Sequence, residues 1–166
     1  MNSINRSTLI YVFGEGEKTE KEYCDRLNYL FLPYHIKYYP IKCSGKSIKP
    51  LENALKKEKQ NTKNKYKMFL CYDIDNKKDK ELDNAILVAK DNLCSNRQFE
   101  YFLDLHKKDD IPLKEYTDEE KDILCDKISE FSKEQIIKAS SIRNNIDIRY
   151  PFCTFYNLID IINNVK

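Results

Sequence analysis

Two apolar runs stand out from the alternation of the rest of the chain. Residues 8–13 (TLIYVF) and 66–72 (YKMFLCY) are β-branched, aromatic or aliphatic at nearly every position, the pattern of strands covered on both faces. The first run stops at Gly14 and the second at Asp73-Ile74-Asp75. Helical spacing follows each of them: Tyr23, Leu27, Leu30 and Phe31 after the first, and Leu82, Ala85, Ile86, Ala89 and Leu93 after the second. Between them, residues 35–43 read as extended, with Pro40 marking an edge strand. Ile48, Leu51, Ala54 and Leu55 then stripe a helix that carries Pro50 in its first turn. Thr19 with Glu22, and Thr117 with Glu120, have the spacing of capping boxes.

A short segment at 93–95 leads into Phe99, Phe102, Leu103 and His106 at helical spacing, with Ser95 and Asn96 placed as that helix's cap. Strand alternating with helix predicts an α/β fold with a mostly parallel sheet of about four strands. Beyond Pro112 the pattern is helices only: Ile123, Leu124, Ile128, Phe131, Ile136 and Ile137, then Phe155, Leu158, Ile159 and Ile162. The expectation is a single domain over residues 1–166, with an α/β core at about 7–108 and a helical part at about 113–164 packed on it.

Composition narrows the picture by exclusion. A charged fraction of 34% against 41% hydrophobic residues is a globular balance with no disordered tail. The net charge of +2 gives no global signal for nucleic acid or an anionic membrane, so such binding would rest on a local patch such as the lysines of residues 56–67. Six cysteines are scattered singly, without a paired spacing or a signal peptide, which predicts reduced thiols and a cytoplasmic protein. With two histidines, His35 and His106, neither at ligand spacing from a cysteine, zinc is not expected. No apolar run approaches the roughly 18 residues of a membrane span, and no repeat is present.

The candidate chemistry lies in acids at strand ends. In open α/β sheets ligands gather outside the carboxyl ends of the strands, which brings Glu15 and Asp73 toward one crevice. Asp73 and Asp75, two apart, share a side of an extended segment at about 7 Å. Carboxylates sharing a small volume raise one another's pKa unless a cation neutralises them, and an all-oxygen set suits Mg2+ or Mn2+. Solvated turn acids are the alternative at each loop taken alone, and Glu17 is left unassigned. Lys18 stands beside the cluster, solvated or paired with a phosphate. Glu100, one position off the apolar face, reaches the crevice from the first turn of its helix, whose free amides could meet a phosphate. His106 falls on the apolar stripe, which favours a buried, hydrogen-bonded ring over a catalytic one. "SGKS" at 44–47 is no phosphate loop, because Pro40 occupies the position of the required first glycine.

The segments "EGEKTEKEY", "YDID" at a strand end, "SNRQFEYFLDLH" and "YPFCTFYNLIDII" together resemble, in order, the motifs of the RloB-like family, a branch of the TOPRIM superfamily related to the OLD nucleases. The resemblance spans most of the chain, and E-G-x-x-T-E is its most specific element. It implies a Rossmann-like TOPRIM fold that binds a divalent metal for phosphodiester chemistry. By position it makes Glu15 the superfamily glutamate, Asp73 and Asp75 the aspartate pair, and Glu20 the second acid of the nuclease-like motif. The implied metal ligands are Glu15, Glu20, Asp73 and Asp75, the implied catalytic residues Glu15, Asp73 and Glu100, and the implied substrate contacts Lys18, Ser95, Asn96 and His106. The implied protein is an Mg2+- or Mn2+-dependent nuclease acting on DNA or RNA. It would work in phage defence beside a partner ATPase of the RloA type, with homo-oligomerisation left open. A non-catalytic binding module on the same scaffold is the alternative. Arg97 stands where the motif carries proline, its tryptophan is absent, and Tyr150-Pro151 replaces asparagine-proline.

Overall fold

The computed structural model describes residues 8–43, 46–61, 67–75 and 77–163. Part of the "SGKS" segment, Tyr66, and part of the 56–67 lysine patch fall outside the described residues. The architecture is a five-stranded sheet in the order β2-β1-β3-β4-β5, with helices on both faces. The strands are β1 (Leu9–Gly14), β2 (His35–Pro40), β3 (Lys67–Asp73), β4 (Leu93–Asn96) and β5 (Phe152–Cys153). The first four pair in parallel, and β5 adds antiparallel to β4 through Ser95 with Cys153 and Asn96 with Phe152. The sheet is therefore mixed.

Alternating side chains of the central strands feed two separate cores, as a twofold strand period requires. Ile10 and Val12 of β1, with Phe69 and Cys71 of β3, face α1 (Thr19–Leu30), α4 (Phe99–Asp104), α5 (Asp118–Asp126), α6 (Lys133–Ser140) and α7 (Tyr156–Ile162). Leu9, Tyr11 and Phe13, with Leu70 and Tyr72, face α2 (Lys49–Asn61) and α3 (Asp79–Leu87). The larger core runs from Ile10 to Ile162, so the C-terminal helices share it with the first strand. All six residues of β1 are buried, as expected of a strand covered on both faces.

Four expectations are corrected. The chain beyond Pro112 is not helical throughout, because Phe152–Cys153 forms β5, two residues too short to carry a period. The stripe ending at Leu93 is not one helix. Asn92 intervenes, its amide donating to the Val88 carbonyl (2.9 Å) while its Oδ1 accepts the Leu70 N–H (2.8 Å), so Leu93 begins β4. Thr19 and Glu22 form no capping box: Lys18 is the N-cap, and the Glu22 carboxylate accepts instead from the Cys125 thiol (3.2 Å). Ser95 and Asn96 do not cap α4, because both belong to β4 and Gln98 holds the N-cap position. At Thr117 with Glu120 the capping box does form, and Ser132 with Gln135 makes another that the apolar spacing does not single out.

Candidate functional site

The chain leaves β1 on one side of the sheet, forms β2, and returns to place β3 on the other side of β1. The carboxyl ends of β1 and β3 are thus neighbours at the point where the strand order reverses, where α/β sheets open a crevice. Glu15 follows β1 directly and Asp73 ends β3. Glu15 Oε1 accepts the backbone N–H of Asp73 at 3.0 Å, linking residues 58 apart, while the Glu15 N–H donates to the Cys71 carbonyl at 3.2 Å.

The glycines beside Glu15 make room for close approach. A Cβ on Gly16 would collide with Glu20 Oε2, so the Glu20 carboxyl from the first turn of α1 lies against the loop backbone. A Cβ on Gly14 would collide with the Tyr38 hydroxyl, which donates to the Gly16 carbonyl at 2.6 Å. On the far side, the loop after β3 is pinned to the start of α4. Ile74 N–H donates to the Ser95 and Arg97 carbonyls, Asp75 N–H to the Arg97 carbonyl, and Gln98 Nε2 to Asp75 Oδ2 at 3.4 Å. Asp75 therefore lies in a turn, not in the extended segment that a shared strand side requires. Glu100 is buried in the first turn of α4.

These carboxyls feel one another. Burial above all, then the charges of Glu100 and Glu15, push Glu20 up to about 8, with Lys121 opposing. Asp73 is held well above the ordinary carboxylate range by burial first, then by Glu20, Asp75, Glu15 and Glu100. Burial raises Glu100 as well, with Lys121 opposing and Asp75 adding. Like charges in a poorly hydrated crevice favour the protonated form, which is the cause shared by all three.

One cation answers them from inside. Lys77 has a fully buried side chain, and its ammonium sits 3.0 Å from Glu15 Oε1, the oxygen that also takes the Asp73 amide. The sequence pattern does not single out Lys77: it stands in a lysine-rich turn with Lys78 and Lys80, both exposed, and nothing local distinguishes the three. Gln98 is missed as well, although its place before an apolar helix is a positional signal; its Oε1 accepts the Tyr116 N–H at 2.9 Å. Among the described residues, no three His, Cys, Asp or Glu side chains are grouped closely enough to hold a metal ion.

The remaining expected site residues take other partners. Ser95 Oγ donates to Cys153 Sγ at 3.5 Å, joining β4 to β5. The Asn96 amide donates to the Ile148 and Tyr150 carbonyls, tying down the loop before β5. His106 is buried among aromatic rings: Tyr23 OH is 2.8 Å from its Nε2, the Phe102 carbonyl 2.8 Å from its Nδ1, and Phe131 stacks on it at 4.2 Å. Lys18 is exposed at the start of α1, and Glu17 is exposed beside it. A cavity of about 580 Å3 between α2 and β3, lined by Lys49, Lys56, Met68 and Leu70 among others, includes none of the carboxylates of the crevice.

Comparison with known families decides the relationship at this point. A profile described as RloB-like protein matches residues 10–162. The chain belongs to the RloB-like family. Neither the curated proteins nor the solved structures compared with it gave a match. The matched span takes in every strand but Leu9 and every carboxylate of the crevice. No helix among the described residues is long and apolar enough to cross a membrane.

Proposed function

We propose that this RloB-like protein is a metal-dependent phosphodiesterase of the TOPRIM type that cleaves nucleic acid, DNA or RNA, as a phage-defence effector working with a partner ATPase. The observation that carries the reading is convergence. Glu15 and Glu20, Asp73 and Asp75, and Glu100 beside them come from three separate stretches of the sequence to the reversal point of the sheet. Burial raises Glu20, Asp73 and Glu100 together, with the charges of their neighbours adding, which solvated turn acids do not do.

The donor set is carboxylate oxygen throughout, the chemistry that Mg2+ and Mn2+ take, so the residues fit the ion in kind. Glu15, Glu20, Asp73 and Asp75 would hold it only by closing on the ion, because as they stand no three of them are grouped closely enough. A bound divalent ion would supply charge stabilisation at the attacking and leaving oxygens of the phosphodiester. Glu15 is positioned by its bond to the Asp73 amide, and Gly16 lets the Glu20 carboxyl close against the loop. Glu100 is buried, and burial raises its pKa, the direction a general acid needs.

Purified protein with Mg2+ or Mn2+ is expected to cut nucleic acid, and Asp73→Ala or Glu15→Ala to lower the rate by about a thousandfold or more with circular dichroism unchanged. Folded variants that cut as well as wild type end the proposal. A second reading, a non-catalytic nucleic-acid or partner-protein binding module on the same scaffold, is favoured by Lys77, whose buried ammonium pairs with Glu15. That reading expects no heat on metal titration and partner binding that survives Asp73→Ala.

A further inference from the structure

We propose that Lys77 is the resident counter-ion of the crevice, and that a divalent ion loads by exchange with its ammonium, so that Lys77 sets the metal affinity. The inference rests on the metal reading above.

Lysine is seldom buried without a paired charge, because removing an ammonium from water is costly. The Lys77 side chain is wholly inaccessible, while Lys78 and Lys80 in the same turn stay in solvent. Its ammonium is 3.0 Å from Glu15 Oε1 and 5.9 Å from the centre of the Tyr72 ring, inside the wall of the crevice and not at its rim. Glu15 Oε1 accepts from both the Asp73 amide and Lys77. An ion at that oxygen must replace the ammonium, and an ion at the other oxygen must sit beside a like charge in a poorly screened site. Either way the positive charge of Lys77 opposes loading. The same contact offsets part of the crevice's excess of acids.

Calorimetric titration of the full chain with Mn2+ tests the proposal on wild type, Lys77→Met, Lys77→Gln and Lys77→Arg. The expected result is binding tightened about tenfold or more in the neutral variants and near wild type in Lys77→Arg. Melting in chelator should be lower for Lys77→Met and Lys77→Gln than for wild type, with a larger gain on adding Mn2+. Folded neutral variants that bind Mn2+ no more tightly than wild type overturn the exchange. If both neutral variants are unfolded in chelator, recovery of the fold with Mn2+ supports it and failure to recover overturns it. Absence of heat from all four proteins overturns the metal reading itself, and the exchange with it.

Discussion

Around His106 and at the ends of β1 and β3, titratable side chains are buried on opposite terms. Around His106, Tyr23 OH meets one ring nitrogen and the Phe102 carbonyl the other, inside a box that includes Phe99, Phe131 and Phe155. The imidazole is neutral, its hydrogen-bonding capacity is filled, and burial pushes its pKa down to about 4. At the ends of β1 and β3, several carboxyls share one crevice with one buried lysine, and burial with like charges pushes Glu20 up to about 8. Each set is drawn in from solvent, but His106 is offset by neutral hydrogen-bond partners and the crevice by the Lys77 ammonium set against several acids. Neutral hydrogen bonds account for the first; in the second, like charges raise one another's pKa around a buried ammonium.

That contrast can be broken most sharply at His106. His106→Ala removes the partner of the buried Tyr23 hydroxyl and opens a cavity, with an expected loss on the order of 3 kcal/mol in denaturant unfolding and no specific effect on metal binding. A variant that keeps its stability but loses metal binding would move His106 into the site.

Glu20→Gln should act in the reverse direction. Glu20 has a folded pKa of about 8 against an ordinary 4.5, so between these values the folded state holds a proton that the unfolded state has released. Stability in chelator therefore falls as pH rises from about 4.5 to about 8. The glutamine variant lacks this slope and should be more stable at pH 8 and above, on the order of 2 kcal/mol. Parallel stability curves for the two proteins would refute the crowding of the crevice.

His106 supplies the opposite slope. Its folded pKa of about 4 lies below the ordinary 6.5, so its contribution is complete above that value and is lost as pH falls from about 6.5 to about 4. Melting temperature followed across this range should decline for wild type and less for His106→Gln. The smallest effect is local. Thr117→Ala breaks the capping box with Glu120 and should cost about 1 kcal/mol in thermal melting.

Much of the candidate site is legible in the chain's apolar pattern, for a particular reason. Glu15 and Asp73 end the two most apolar runs of the chain, and a strand buried on both faces can only belong to the middle of a covered sheet. Position, not the acids themselves, makes them candidates. The Thr19 and Glu22 spacing misleads because Glu22 has a better partner in Cys125, 103 residues away. Leu93 misleads because an apolar residue fits a helix stripe and a buried strand equally well, and Asn92 decides between them by bonding to β3.

By itself, then, the sequence determined the strand-and-helix alternation, the buried centre of the sheet and the acids at its strand ends. These follow from period and polarity within a few residues of each position. Tertiary structure alone decided that β5 closes the sheet edge antiparallel, that Asn96 ties down the loop before β5 while Ser95 joins β4 to β5, and that Lys77 of three similar lysines turns inward to Glu15. Those outcomes depend on partners 50 or more residues away, such as the 62 separating Lys77 from Glu15, and no local pattern records which charge will meet which in the fold.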